Sequence, residues 1–162
     1  MKKSKRKNVS EEPNLPKAFL FGLGAAIISC IVWFIAVSLT HWQIGIIAVA
    51  VGFFVGKATI YGAGYKSSVK IQAIAIILTL LTMLVSQYFI SIYFLNQEIK
   101  NYNGKSFYSY FDSPSLMGYI VYDSLKSDLL TLVFWAIALY EAYTLTKAMT
   151  PDNLIKETIE KE

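Results

Sequence analysis

Two long stretches without a charged side chain constrain the fold of this chain more than any other feature. No Asp, Glu, Lys or Arg occurs between Lys17 and Lys57, and none occurs between Lys70 and Glu98. A helix or strand of a soluble protein keeps a polar face toward water, so gaps of this length are typical of segments that contact lipid. The chain is only 16% charged, whereas soluble domains carry about 25% charged residues.

Hydropathy and length predict an all-α integral membrane protein, a bundle of four transmembrane helices. A hydrocarbon core about 30 Å thick needs roughly 20 apolar residues at about 1.5 Å each. We expect the spans at about residues 18–39, 44–61, 71–95 and 129–149. The second span is short, and Glu141 interrupts the fourth. A buried helix of a soluble core could explain any one of them, but the rest of this small chain is too short to cover four.

The distribution of basic residues predicts that both termini face the cytoplasm. With the N-terminus inside, twelve of the 15 Lys and Arg residues fall on the cytoplasmic side. This bias sets the orientation of short loops and tails. Residues 1–17 and 150–162 then form cytoplasmic tails around a membrane domain over residues 18–149. We interpret the basic start, MKKSKRK, as a flank that orients the first span, and not as a nucleic-acid contact.

The one long loop, residues 96–128, is expected outside and contains an amphipathic or interfacial helix before the fourth span. Ser113 and Pro114 resemble a helix start, with a capping side chain followed by a proline in the first turn. The apolar residues that follow share one helical face: Leu116, Met117, Ile120, Val121 and Leu125. Such a helix would lie on the membrane surface. An extension of the fourth span explains the same pattern equally well.

The stretch GFFVGKAT, residues 52–59, superficially resembles a phosphate-binding loop. That loop requires four residues between its glycines and a Ser or Thr after the lysine, whereas three residues and Ala58 stand here. Ala48, Gly52 and Gly56 instead recur every four residues, so they share one helix face. Small residues in lipid let two helix backbones approach closely. We therefore predict a helix-packing stripe in place of a nucleotide site.

The third span has a more polar stripe. Its members are Gln72, Ala75, Thr79, Thr82 and Ser86. Their spacing of three and four residues is that of a left-handed helix seam. A polar pathway for solute or ions is one interpretation of this seam. We favour the other, in which the polar side chains form hydrogen bonds between helices.

Glu141 and Lys57 form a candidate intramembrane ion pair. Both are expected near the cytoplasmic ends of spans that run in the same direction. An acid at the centre of a membrane helix costs about 2.5–3.5 kcal/mol on insertion scales, so Glu141 should face the bundle. Two alternatives to the ion pair are that Glu141 forms a proton or cation site, or that it lies close enough to the headgroups to be hydrated.

The inventory of residues for catalysis is small. The chain has one His and one Cys, and it lacks the H-E-x-x-H and G-x-S-x-G motifs. A metal site or a nucleophile triad would need partners that these residues do not have. We therefore expect no enzyme activity, no catalytic residue, no metal and no cofactor.

The chain resembles a group of small bacterial inner-membrane proteins with four predicted spans. The likeness covers about residues 44–146 and rests on a glycine-rich second span, a Gln-x-x-Ala start to the third and an Asp-Leu-Leu…Ala-x-x-x-Ala fourth. The matching residues are Gly52, Gly56, Lys57, Gln72, Ala75, Asp128, Leu129, Leu130, Ala138 and Ala142. Some members carry an N-terminal zinc ribbon, which this chain lacks. The resemblance implies a fold and no catalytic residue.

Two functions remain open from the sequence. The first is a non-catalytic membrane bundle that scaffolds, anchors or regulates a protein partner. The second is a small transport or channel subunit, which would have to assemble as an oligomer to enclose a path. The partners expected are the lipid bilayer and either another protein or further copies of the chain, and nucleic acid is not among them.

Overall fold

The computed structural model describes residues 13–40, 45–102 and 129–148, together with Gly118, Tyr119, Tyr122 and Lys126. The described ranges form four helices: α1 Leu15–Thr40, α2 Ile46–Gly62, α3 Val69–Tyr102 and α4 Leu129–Ala148. No strand occurs in this part of the chain. The predicted all-α architecture with four helices is therefore confirmed for the described ranges.

Three of the four helices are long and apolar enough to cross a membrane. Their qualifying segments are Leu15–Thr40, Val69–Gln97 and Leu129–Lys147. The remaining helix, α2, has 17 residues, which corresponds to about 26 Å against a hydrocarbon core of about 30 Å. A crossing by α2 therefore stays a prediction. The expected interfacial helix within residues 96–128 lies for the most part outside the described residues.

Helix α3 is longer than the span predicted over residues 71–95. It has 34 residues and ends at Tyr102, so it is about 51 Å long and exceeds the thickness of the hydrocarbon core. Hydropathy marks where a helix leaves the lipid and does not mark where the helix ends. Gln97, Glu98 and Lys100 are good helix formers, and they continue the backbone beyond the apolar segment.

Helices that are consecutive in the chain alternate in direction. The end of α2 packs on the start of α1, where an ideal Cβ on Gly62 would lie 2.5 Å from the carbonyl oxygen of Lys17. Helices α1 and α3 run parallel, since Cys30 accepts a hydrogen bond from Ser86 and Ser38, later in α1, accepts one from Tyr93, later in α3. Helices α2 and α3 pack against each other and against both remaining helices, which places α1 and α4 at opposite corners of the bundle.

Short polar side chains mark the beginnings of two helices. Asn14 caps α1, because its Oδ1 accepts from the backbone N–H of Lys17 at 3.1 Å. Ser68 caps α3 and accepts from the N–H of Ile71 at 3.3 Å. Each contact satisfies a backbone donor that has no partner within its own helix.

Large apolar side chains cover much of the outer surface of the bundle. Leu20, Ile28 and Val32 of α1 are exposed, as are Leu81 of α3 and Val133 of α4. Soluble monomers rarely expose contiguous apolar surface on this scale. The outer surface is therefore compatible with direct contact with lipid.

Candidate functional site

The small residues of α2 form its closest contact with α4. An ideal Cβ on Gly52 would lie 2.9 Å from the Cα of Ala138 and would overlap the carbonyl oxygen of the same residue. One turn later, a Cβ on Gly56 would lie 3.0 Å from the Cα of Ala142. Ala48, the first member of the stripe, is also buried. The absence of side chains at the glycines is what allows the two backbones to approach.

The polar seam of α3 is enclosed by the other helices. Thr79, Thr82 and Ser86 are 0%, 3% and 1% exposed. Thr82 donates to the carbonyl oxygen of Leu78 at 2.7 Å, within its own helix. Gln72 is partly exposed at the start of α3, where its side-chain amide donates to Ser67 at 3.3 Å. The seam therefore faces the interior of the bundle and not an open channel.

The single cysteine connects α1 to this seam. Ser86 donates to the sulfur of Cys30 at 3.2 Å, and the Cys30 thiol lies 3.5 Å from the carbonyl oxygen of Thr82, within donating distance for sulfur. The contact joins residues 56 positions apart in the chain. The hydrogen bonds across this interface therefore use the single cysteine of the chain, which lies on α1.

Three buried polar groups in the described ranges have no hydrogen-bond partner. They are the hydroxyl of Thr79 and the indole N–H groups of Trp33 and Trp135. Trp33 is 1% exposed and packs in the main apolar cluster. Because an unpaired buried donor is costly, these side chains stabilise the bundle through packing and not through polarity.

The candidate ion pair between Lys57 and Glu141 is not formed among the described residues. The ammonium of Lys57 lies over the ring of Phe53, 4.6 Å from its centroid. Successive residues of a helix are rotated by about 100°, so Lys57 cannot share the direction of Gly56, which faces Ala142 of α4. Lys57 instead lines a groove on the other side of α2.

This groove lies between α1 and α2 and has a volume of about 600 Å³. Helix α1 contributes residues from Phe21 to Val32, and α2 contributes residues from Ile47 to Tyr61. The lining is almost entirely apolar, and Lys57 is the one charged residue among the described residues that line it. A concave apolar surface with one or a few polar groups is the usual form of a ligand site.

Aromatic rings line one end of the groove. Phe21 and Tyr61 have ring centroids 5.5 Å apart, and Tyr61 and Tyr65 are in edge-to-face contact at 5.9 Å. Tyr65 has a left-handed backbone with φ of 58°, which is uncommon for a bulky residue. Its N–H donates to the carbonyl of Ile60 at 2.9 Å, so the end of α2 holds Tyr65 in this conformation.

Within the described ranges, no group of three His, Cys, Asp or Glu side chains could hold a metal ion. In comparisons with protein families, curated proteins and solved structures, the chain matched none. The helix-packing stripe of α2, the polar seam of α3 and the groove between α1 and α2 are therefore the structural features that bear on function.

Proposed function

We propose that this chain is a non-catalytic protein of the bacterial cytoplasmic membrane that scaffolds, anchors or regulates a protein partner. The observation that carries the proposal is the enclosure of the polar seam. Thr79, Thr82 and Ser86 are the residues that would line a path through one copy of the bundle, and they are buried between helices. The groove that does open to the surface includes none of them.

The close contact between α2 and α4 supports the same proposal. Gly52 and Gly56 leave the α2 backbone against Ala138 and Ala142, so these two helices have little room to slide past each other. A transporter has to alternate between different packing arrangements of its helices, whereas a scaffold has to keep a single arrangement. In the proposed topology both termini face the cytoplasm, and the tails and the outer loop are available to a partner on either side of the membrane.

A flux assay with purified protein in sealed liposomes tests the absence of transport. We expect proton and potassium leak rates equal to those of empty liposomes, with a pore-forming peptide as the positive control. Glu141→Gln and Thr79→Val should leave these rates unchanged. A flux that rises with protein density and falls about tenfold in either variant would overturn the proposal in favour of an oligomeric channel.

Crosslinking in native membranes tests the scaffold role itself. We expect the chain to be recovered with one other protein in a fixed molar ratio, independent of the expression level. Recovery of the chain only as a monomer, at several crosslinker lengths, would contradict the proposal.

A further inference from the structure

The groove between α1 and α2 has the dimensions of a site for a lipid chain. Its α1 side runs from Phe21 to Val32, which is about 16 Å at 1.5 Å per residue. Its α2 side runs from Ile47 to Tyr61, about 21 Å by the same rise. An extended apolar chain lying in it would cross more than half of a hydrocarbon core about 30 Å thick.

The position of the single charge indicates which end of a lipid the groove would receive. Lys57 lies five residues before Gly62, the last residue of α2, so it is about 7.5 Å from the helix end. A lysine stem can extend its ammonium over such a distance to the headgroup level. Tyr61 and Tyr65 lie at that end of the groove, and tyrosine hydroxyls are common at the membrane–water interface.

Lys57 carries a positive charge that no carboxylate neutralises in the described part of the chain. Its recorded contact is the face of Phe53, at 4.6 Å from the ring centroid. A ring face attracts a cation without cancelling its charge, so the ammonium remains free to attract an anion. Basic residues between membrane helices near the cytoplasmic side are typical binding points for anionic lipid headgroups.

We propose that the groove between α1 and α2 binds one anionic phospholipid, with an acyl chain along the groove and the phosphate at Lys57. The charge complementarity between Lys57 and a phosphate selects this occupant over a neighbouring helix. An apolar helix docked in the groove would offer the ammonium of Lys57 no opposite charge, whereas a lipid phosphate at the headgroup level does. The inference requires the chain to lie in a membrane and does not depend on the scaffold role.

Lipid retention measured by native mass spectrometry tests the proposal. The delipidated full-length protein in detergent is mixed with dioleoylphosphatidylglycerol or with dioleoylphosphatidylcholine, which differ in headgroup charge and share their acyl chains. We expect one phosphatidylglycerol bound per chain and weaker retention of phosphatidylcholine. Lys57→Gln should weaken the retention of phosphatidylglycerol about fivefold. Lys70→Gln is the matched control, because Lys70 is exposed at the same end of the bundle and does not line the groove.

A second variant tests the groove separately from the charge. Ala50 lines the groove and is exposed, so Ala50→Phe fills the space without changing the helix interfaces. It should lower the retention of both lipids, while the melting temperature without added lipid stays at the wild-type value. If the two lipids were retained equally and Lys57→Gln had no effect, the proposal would be overturned, because the bound lipid would then be associated nonspecifically. A dimer that Ala50→Phe dissociates would also overturn it, and would assign the groove to a second copy of the chain.

Discussion

Gly52→Leu should lower the melting temperature of the purified protein more than a leucine at a glycine that faces open space. The clash is with backbone, since even a Cβ at this position would overlap the carbonyl oxygen of Ala138, and a backbone cannot rotate away as a side chain can. Overpacking typically costs about 1–3 kcal/mol and occasionally more. Moving α2 away from α4 would be the easiest way to relieve the clash, but it would lose the packing contacts between the two helices. We therefore expect a cost at the upper end of this range.

Gly24→Leu is the matched control for Gly52→Leu. Gly24 lies within α1, and an ideal Cβ there would meet nothing within 4 Å. Both substitutions raise helix propensity by about 1 kcal/mol or less, so a difference between them reports packing alone. Thermal unfolding in one detergent, followed by circular dichroism, measures both. Equal melting temperatures for the two variants would mean that Gly52 does not face another helix in the folded protein.

Trp33→Ala should have the second large effect. Trp33 is 1% exposed and is the largest of the fully buried side chains in the described ranges. In soluble proteins the loss of a buried Trp or Phe costs about 3–5 kcal/mol. In lipid the transfer part of this cost is reduced because the surroundings are apolar, but the lost packing contacts remain. We therefore expect about 2–3 kcal/mol, measured by the same thermal unfolding.

Two controls separate packing from other effects at Trp33. The indole N–H of Trp33 has no hydrogen-bond partner, so Trp33→Phe removes no hydrogen bond and should cost much less than Trp33→Ala. Ile31 is 54% exposed on the same helix, and Ile31→Ala should be close to neutral. If Trp33→Ala were no more destabilising than Ile31→Ala, the apolar cluster around Trp33 would not be the core of the bundle.

The charge-free stretches, together with the hydropathy of residues 129–149, were sufficient to predict the helical class and the approximate position of each helix in the described ranges. They report transfer into lipid, which depends on local composition. The helix ends were predicted less well, because an end depends on local hydrogen bonds. Asn14 and Ser68 cap α1 and α3 through side-chain acceptors, and a hydropathy profile carries no information about such contacts.

The direction in which each side chain points was harder to predict than its depth in the membrane. The ion pair between Lys57 and Glu141 was predicted from their depth in the membrane, since both were expected near the cytoplasmic ends of parallel spans. The four-residue spacing of Ala48, Gly52 and Gly56 already fixes the α2 face that packs on another helix. Lys57 follows Gly56 and is rotated by about 100° from it, so the stripe and the ion pair could not both involve α4.

Contacts between distant segments could not be predicted from one sequence. The hydrogen bond from Ser86 to Cys30 joins residues 56 positions apart and requires the register between α1 and α3. The groove likewise requires the spacing between α1 and α2, which only packing determines. In the sequence, the only indication of the groove is the charged Lys57 within an otherwise apolar segment.

The number of membrane crossings is the central claim, and α2 decides it because its 17 residues make it the shortest of the four described helices. Single cysteines introduced as Ser10→Cys and Ser106→Cys, in a Cys30→Ser background, can be labelled with an impermeant maleimide in spheroplasts. Four crossings predict that Ser106→Cys is labelled in intact spheroplasts and that Ser10→Cys is labelled only after lysis. If α2 does not cross, residue 106 returns to the cytoplasmic side, so protection of both cysteines in intact spheroplasts would contradict the four-helix membrane bundle.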